Sequence, residues 1–359
     1  MKVNILGDGI VSLTLAKTLV NDGIFVDLIY DKKTKLINKN RTIGLARSNI
    51  NFFNKHILDI SKLLWKIDKI EIYLEKFSKN KIINFHNNNQ LFSIIKNYEL
   101  YELLNKSLKK NKYFKRKKKL SSNVLHKNNR EIIINCDPYS QLTKKFFFKK
   151  TKKNYKSISF ISVIKHEKIL KNNIAYQIFT KFGPIAFLPI SKFETSIVYS
   201  VKKNFNLTEK DIINLIKKFN PKYRINKFGK ITSFELYSSN LRNYYHNNIL
   251  AFGDLLHKIH PLAGQGFNMT IRDIKQLKKI INDKSNLGLE INSSIYEDFE
   301  KSLKHKNFLF SSGIDFVYEF FNLESKIQSK KLGKVVQLIG KNKSLNSLFR
   351  KIADTGISL

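Results

Sequence analysis

The spacing of hydrophobic positions changes repeatedly along the chain, and each change marks an element. Residues 3–6 form a short apolar run, residues 10–19 carry Leu13, Leu15, Ala16 and Leu19 at helical spacing, and residues 25–30 are apolar again, which reads as strand, helix, strand. Residues 48–64 predict a helix, 65–73 a helix end turning into a strand, 89–95 a strand, and 98–108 a helix whose Leu100, Leu103 and Leu104 share one face. After a mostly basic and polar stretch at 107–130, residues 132–135 predict a strand. Residues 157–164, 175–179 and 196–201 alternate or run apolar as antiparallel strands do. Between the last two lies Phe182-Gly183-Pro184-Ile185-Ala186-Phe187-Leu188-Pro189, a run short enough to be either a core strand or the lining of an apolar site. Residues 211–219 predict a helix, 231–237 and 249–252 strands, and 271–281 a further helix. Two more helices are expected at 294–306 and 308–323, then an amphipathic tail at 331–349. Phe308, Phe310, Phe316, Val317, Phe320 and Phe321 cover more than one helix face, as in a packed helix or in a dock for an apolar tail or a membrane surface.

Glycines gather where strands give way to helices. Gly7-Asp8-Gly9-Ile10-Val11-Ser12 follows the first strand and opens the first helix, the setting of a βαβ dinucleotide fingerprint in which the glycines permit the tight turn and the approach of a pyrophosphate. Ser12 stands in place of the third glycine and is small enough for close helix packing. An acidic residue is expected to end the second strand and hold the adenosine ribose; Tyr30 stands there with Asp31 next, and Asp31 takes the assignment. The second cluster, GDLLHKIHPLAGQGFNMTIRD at 253–273, reads as strand end, loop and helix start, where open α/β folds keep their ligands. Asp254 is an acceptor for a ribose or ribityl hydroxyl, Pro261 stiffens the loop, and Gly264 and Gly266 admit a planar or anionic ligand to the backbone. The helix that follows presents its positive end to that ligand. The three-residue spacing of Asp254, His257 and His260 would suit a metal on a regular helix, but Pro261 and the glycines oppose such a helix, and no metal is expected.

With 359 residues, 42% of them hydrophobic, and 28 Phe, the chain can bury one large core or two joined ones, and disorder as a whole is excluded. Lys and Arg number 66 against 28 Asp and Glu, a formal charge of +38. Such a balance points toward nucleic acid or an anionic membrane, yet Lys, Asn and Ile are abundant together, as AT-rich coding produces. The basic residues are spread, densest at 106–119 and 144–156, with no zinc-finger spacing and no RNP-like aromatic motif. Nucleic-acid binding is therefore not expected, while adhesion to anionic lipid remains open. One cysteine, Cys136, permits no internal disulfide and fits a reducing cytoplasm. MKVNILGDG enters a strand without a signal-peptide pattern, and no run of about 18 apolar residues is free of charge. The expected location is cytoplasmic, at most peripheral on the inner face of a membrane. No GxSxG motif is present, and Cys136 has no identified histidine partner.

Gly253, Asp254, His257, His260, Pro261, Ala263, Gly264, Gln265, Gly266, Asn268, Arg272 and Asp273 match, in one register, the second flavin signature of the class A flavoprotein monooxygenases. Over nearly its whole length the chain resembles the ubiquinone-biosynthesis members of that class, the 2-polyprenylphenol and 2-polyprenyl-6-methoxyphenol hydroxylases. The resemblance implies an α/β fold: a Rossmann-like FAD-binding domain with an inserted antiparallel-sheet substrate domain and C-terminal helices. It assigns residues 1–70, 96–156 and 241–290 to the FAD-binding domain, 71–95 and 157–240 to the substrate domain, and 291–359 to the C-terminal helices. It also implies FAD as cofactor, NADH or NADPH as reductant, O2 and a prenylated phenol as reactants, and assembly with other ubiquinone-biosynthesis proteins.

Residue roles follow from the same resemblance. Gly7, Gly9 and Ser12 would meet the pyrophosphate, Asp31 the adenosine ribose, and Arg41 the phosphate and ribityl side, a pairing that guanidinium geometry favours. Asp137 would also touch the cofactor, Gly253 and Asp254 would hold the ribityl chain, and Gly264, Gln265, Gly266, Phe267 and Asn268 would border the pyrimidine edge of the ring. Pro261, Gly264 and Gln265 would form the catalytic loop. Phe182, Gly183, Pro184, Phe187 and Pro189 would line the phenol pocket, whose apolar character suits such a substrate.

One segment departs from the family pattern. Where relatives carry alanine, aspartate, glycine, two variable residues, serine, two variable residues and arginine, this chain reads Cys136-Asp137-Pro138-Tyr139-Ser140-Gln141-Leu142-Thr143-Lys144, keeping Asp137 and, at Lys144, the charge. That segment serves both flavin and nicotinamide in the family. Two readings from other classes therefore stay open: a non-catalytic FAD-binding subunit, and a basic scaffold for lipid or nucleic acid.

Overall fold

The computed structural model describes residues 2–30, 38–75, 83–86, 90–118, 132–261, 264–327, 347, 351–352 and 354–356. The chain begins β1 (Lys2–Leu6), α1 (Ile10–Asn21), β2 (Phe25–Tyr30), β3 (Thr42–Ala46), α2 (Arg47–His56), β4 (Trp65–Ile67) and β5 (Lys69–Leu74). It continues through β6 (Ile83–His86), β7 (Phe92–Lys96), α3 (Asn97–Lys109), β8 (Phe114–Lys118), β9 (Ile132–Asn135), α4 (Gln141–Phe146) and β10 (Lys150–His166). Then come β11 (Ile174–Thr180), β12 (Gly183–Pro189), β13 (Glu194–Lys202), α5 (Glu209–Lys218), β14 (Ile225–Phe228) and β15 (Thr232–Leu241). The described chain closes with β16 (Tyr245–His246), β17 (Ile249–Ala251), β18 (His257–Lys258), α6 (Gly266–Asn286) and α7 (Ile295–Ile327).

Three sheets organise these elements. The first has the order β16-β17-β9-β1-β2-β8, with β17, β9, β1, β2 and β8 parallel. Its central strands β1, β9 and β17 are buried on both faces, which is why they read as continuous apolar runs, while the edge strand β8 is basic and largely exposed. The large sheet has the order β18-β15-β10-β13-β12-β11-β5-β6, with β14 pairing β10; its pairings are antiparallel except β11 with β5. A small antiparallel sheet, β3-β7-β4, lies between. It is tied to the large sheet by Thr42 Oγ1 and Ser196 Oγ at 2.9 Å and by Lys96 Nζ on Glu194 Oε2 at 2.8 Å.

Several elements differ from their sequence expectation for local reasons. The helix expected over 48–64 stops at His56 because Asn21 Nδ2 caps the carbonyls of His56 and Ile57 at 3.0 and 2.8 Å, ending the ladder. Residues 65–67 are strand, where a helix end was expected, since Trp65 to Ile67 pair with Ile94 to Phe92 of β7. The two helices expected at 294–306 and 308–323 form the single helix α7: Asn307, between them, carries no breaker chemistry and turns inward to bond Asp273 at 3.0 Å. Asn89 and most of the tail at 331–349 lie outside the described residues.

Register decides which side chains of the large sheet face which way. Ile185 and Phe187 of β12 stand opposite Tyr199 and Ile197 of β13, and all four join Ile212 and Ile216 of α5 and Tyr223 in one buried cluster. The alternation of a strand turns Ala186 and Leu188 to the other face, where Leu188 packs with Ile67, Ile94, Trp65 and Phe92 of the small sheet. Phe187→Ala is expected to lower the unfolding free energy by about 3–5 kcal/mol, read as a shift in the urea midpoint. Cofactor content should not change, because the ring is fully buried on the α5 side.

Candidate functional site

The carboxyl ends of β17, β9 and β1 lie side by side, at Ala251, Asn135 and Leu6. The chain leaves β1 toward β2 on one side while β9 lies on the other, the switch point at which a doubly wound sheet opens a crevice. Gly7 sits at its base with φ of 112°, and a Cβ there would stand 3.0 Å from Ser12 Oγ. Both the backbone conformation and the buried Ser12 therefore require glycine. Gly253 has φ of 66°, and its Cβ would lie 2.6 Å from Val11 Cγ1. The exit of β17 is thus pressed on the first turn of α1, carrying exposed Asp254 to that helix start.

Cys136 belongs to the same crevice. Burial lifts its thiol to about 12; a hydrogen bond with Ser12 works against this, and the charges of Asp137 and Asp254 add to it. It is no nucleophile at neutral pH. Asp137 accepts from Tyr139 N at 2.9 Å, and Ser140 caps α4 by accepting from Thr143 N at 3.2 Å. A serine one residue earlier than the family pattern has taken over the cap, so the departed segment still folds as an ordered loop beside Gly7.

The loop before α6 is organised by its own side chains. Gly264, exposed with φ of 60°, would place a Cβ 3.5 Å from Gly44 N, so the loop lies against β3. Asn268 donates to Gly44 O at 2.9 Å and accepts from Ala46 N and Asn49 Nδ2, each at 2.9 Å. Its amide thus serves the protein: Asn268 is a strut between α6 and β3, a role that sequence reasoning missed because Asn49 carries no signal of its own. Buried Gln265 accepts from Arg272 Nη2 at 3.0 Å. Burial lowers Arg272 to about 10 against the pull of Asp273 and Asp354, and its guanidinium lies 4.5 Å from the Phe310 ring centre. Phe267 packs on the main core, and Pro261 O accepts from Gly264 N at 3.1 Å.

Two helix starts are left open by this arrangement. Most of the other described helix starts have protein anions or hydroxyls nearby: Asp354 at Ser48 N of α2, Glu99 in α3, Ser140 at α4, Thr208 at α5, and Glu297 and Asp298 in α7. α1 and α6 have neither a side-chain cap nor an acidic residue in the first turn. A Cβ built on Gly9 or on Gly266 meets nothing within 4 Å. Unsatisfied N–H groups, positive helix ends and free space call for an anionic ligand. A pyrophosphate at α1 and an electron-rich ring edge at α6 meet that description, so the residues fit a flavin dinucleotide.

The remaining expected residues fall as follows. Exposed Arg41 lies three residues before Gly44, at the start of β3, with no ion-pair partner among the described residues. Asp31 lies outside the described residues, as do Leu262 and Ala263. Gly183, with φ of 137°, lets β12 approach Ser200 O, which a Cβ would meet at 2.0 Å; Phe182 stacks edge-on with Phe205. Phe182, Gly183 and Phe187 therefore serve strand packing, while Pro184 and Pro189 lie buried in the same strand. His257 Nε2 bonds Asp273 Oδ2 at 2.5 Å, both buried. His260 lies between the Tyr155 and Tyr318 rings. Among the described residues no three metal-ligating side chains converge.

This combination, a parallel sheet with two open helix starts at its switch point and a large antiparallel sheet beside it, defines the FAD-dependent monooxygenase fold. p-Nitrophenol 4-monooxygenase PnpA from Pseudomonas putida DLL-E4 matches over 98% of both chains at TM-score 0.79 and 10% identity. A Klebsiella pneumoniae HpxO variant complexed with FAD matches over 99% of both at TM-score 0.76 and 12% identity. No family model matches the chain. Among curated proteins it is similar to the mitochondrial ubiquinone biosynthesis monooxygenase COQ6 of Danio rerio, 23% identical over 54% of this chain and 48% of that one. It is also similar to the 3-demethoxyubiquinol 3-hydroxylase of Escherichia coli K12, 28% identical over 41% and 39%. The chain spans about half the length of the first of these relatives, 48%.

Burial lowers His260 from its ordinary 6.5 to about 3. Between those values the unfolded chain binds a proton there that the folded chain refuses, so stability is full above the upper value and falls with pH toward the lower one. His260→Phe, which fills the same slot between two tyrosines, is expected to remove a slope of up to about 1.4 kcal/mol per pH unit from that window. Urea titrations of both proteins at about pH 7 and about pH 4.5 read the difference.

Proposed function

We propose that the chain binds FAD and hydroxylates the aromatic ring of a polyprenylated phenol in ubiquinone biosynthesis, with NADH or NADPH as reductant. The observation that carries the proposal is the pair of uncapped, unobstructed helix starts at Gly9 and Gly266, with Gly253 packed on Val11 of the first helix and Gly264 against Gly44 beside the second. The names of the curated relatives supply the pathway.

When bound, reduced flavin supplies an oxygen atom from O2 to an electron-rich ring. The chain's own residues do the rest. The first turn of α1 would hold the pyrophosphate, Arg41 would pair with the phosphate side, and Asp254 would accept a ribityl hydroxyl. The N–H groups of Gly266 and Phe267, at the positive end of a 21-residue helix, would stabilise negative charge on the ring's pyrimidine edge. Gln265 would be held by Arg272 while the exposed backbone of Gly264 lies along the ring. The phenol pocket would lie on the β12 face opposite Phe187, with Pro184, Ala186 and Leu188 toward the small sheet, where the apolar cluster of Ile67, Ile94, Trp65 and Phe92 excludes water. Burial and Asp315 keep the Tyr155 phenol protonated, and His260 stays neutral.

No helix among the described residues is long and apolar enough to cross a membrane. Peripheral association with an anionic membrane face and assembly with other enzymes of the pathway are parts of the same proposal. The former is supported by Phe308, Leu309 and Phe316, exposed along α7.

Asp254→Ala is expected to leave the purified protein without yellow cofactor; stoichiometric flavin in that variant removes the role. In the wild type, anaerobic addition of NADH or NADPH should bleach the visible flavin bands. A yellow protein that does not bleach would instead be the non-catalytic FAD-binding subunit that the departures around Asp137 allow. A colourless one would be neither.

A further inference from the structure

Tyr30 ends β2 at the position where a dinucleotide fingerprint usually places the carboxylate for the adenosine ribose, and Asp31, which follows it, lies outside the described residues. β8 lies parallel beside β2 on the sheet edge, with Leu28 opposite Arg116 and Tyr30 opposite Lys118. Arg116 reaches back to the fingerprint loop: its Nη2 is 2.6 Å from Oδ1 of Asp8, the residue between Gly7 and Gly9. The Asp8 side chain is 7% exposed and that of Arg116 25%. The guanidinium lies 6.0 Å from the centre of the Tyr30 ring. Its Nε is buried and without a hydrogen-bond partner among the described residues, so the donors a ligand can reach are the remaining Nη hydrogens of this quarter-exposed side chain. The next lysine, Lys117, is engaged by Asp27 on the other face. A fixed, partly desolvated cation with a donor to spare therefore stands at the carboxyl end of β2, next to an open helix start.

We propose that Arg116, oriented by Asp8 and shelved on Tyr30, holds the adenosine half of the dinucleotide by donating to its ribose hydroxyl or phosphate oxygens. It would stand in for the strand-end carboxylate. A planar guanidinium fixed on one side by a carboxylate is preorganised for such acceptors, and Asp8 offsets its charge. The inference rests on the flavin reading above but concerns only the half of the cofactor that FMN and riboflavin lack.

The test is the binding of FAD, FMN and riboflavin to flavin-stripped full-length protein, followed by flavin fluorescence. Arg116→Gln should weaken FAD by about tenfold or more, the effect of one charge-assisted hydrogen bond, and leave FMN and riboflavin within about twofold. Arg116→Lys should recover part of the loss. Tyr30→Leu should weaken FAD selectively to a smaller degree, and it carries the test if Arg116→Gln does not fold. Equal weakening of all three flavins would make the Arg116–Asp8 pair a mere strut and overturn the proposal. So would unchanged FAD affinity in the folded Arg116→Gln protein, or a FAD-selective loss confined to Asp31→Asn. A wild-type protein that binds none of the three flavins overturns the flavin reading itself, and this inference with it.

Discussion

Close packing at two glycines of positive φ is the constraint on which this structure depends. A Cβ at Gly253 would lie 2.6 Å from Val11 Cγ1, which leaves no room for a side chain, while one at Gly264 would lie 3.5 Å from Gly44 N, in ordinary contact; both backbones have positive φ, which a side chain would strain. Those contacts fix the exit of β17 on the first turn of α1 and the loop before α6 on β3. Neither helix start carries a side-chain cap or an acidic residue in its first turn. First-turn N–H groups without a protein acceptor are completed by water or by an anionic ligand, so this geometry suits an anion.

Around that crevice the buried polar groups work as ties. Asn268 joins α6 to β3 and α2 through Gly44, Ala46 and Asn49. Asp273, one turn further along α6, is bonded by His257 from β18 and by Asn307 from α7. Arg272, between them in sequence, reaches Gln265, while Asp354 sits at the start of α2. Each tie is desolvated, so losing one partner would strand the other in a low-dielectric interior. Residues that look like a ligand motif when read linearly, Asn268, Arg272, Asp273 and His257 among them, turn out to fix the frame on which the backbone presents itself.

The large sheet divides its labour by face. One side of β12 is a core against α5, and the other looks toward the small sheet and so toward the crevice. Helix α7 crosses behind with Tyr318 stacked on His260, so the residue before Pro261 is held by a helix far along the chain. A strand of the large sheet, the residue before Pro261 and helix α7 are thus joined through aromatic contacts, and hydrogen bonds of Tyr155 and Ser238 to Asp315 and of Asn240 with Ser311 tie the same helix to the sheet.

Much of this was legible in the linear chain. The strand at 25–30, the fingerprint at Gly7 to Ser12 and the helix after Gly266 were legible because period, glycine placement and local context agree, and these are properties of neighbours in sequence. The glycines that bend the chain ahead of both helices were legible for the same reason. Other features were decided only by tertiary contact. The early end of α2 needed Asn21 from another helix, the face presented by Phe187 needed the register of β12 with β13, and the single α7 needed Asp273 to draw Asn307 inward. The Arg116–Asp8 pair joins residues 108 apart. A sequence specifies which segments are able to form, through local propensity and alternation, but partners brought together by folding determine where those segments stop, which way their side chains point and which polar groups remain for a ligand.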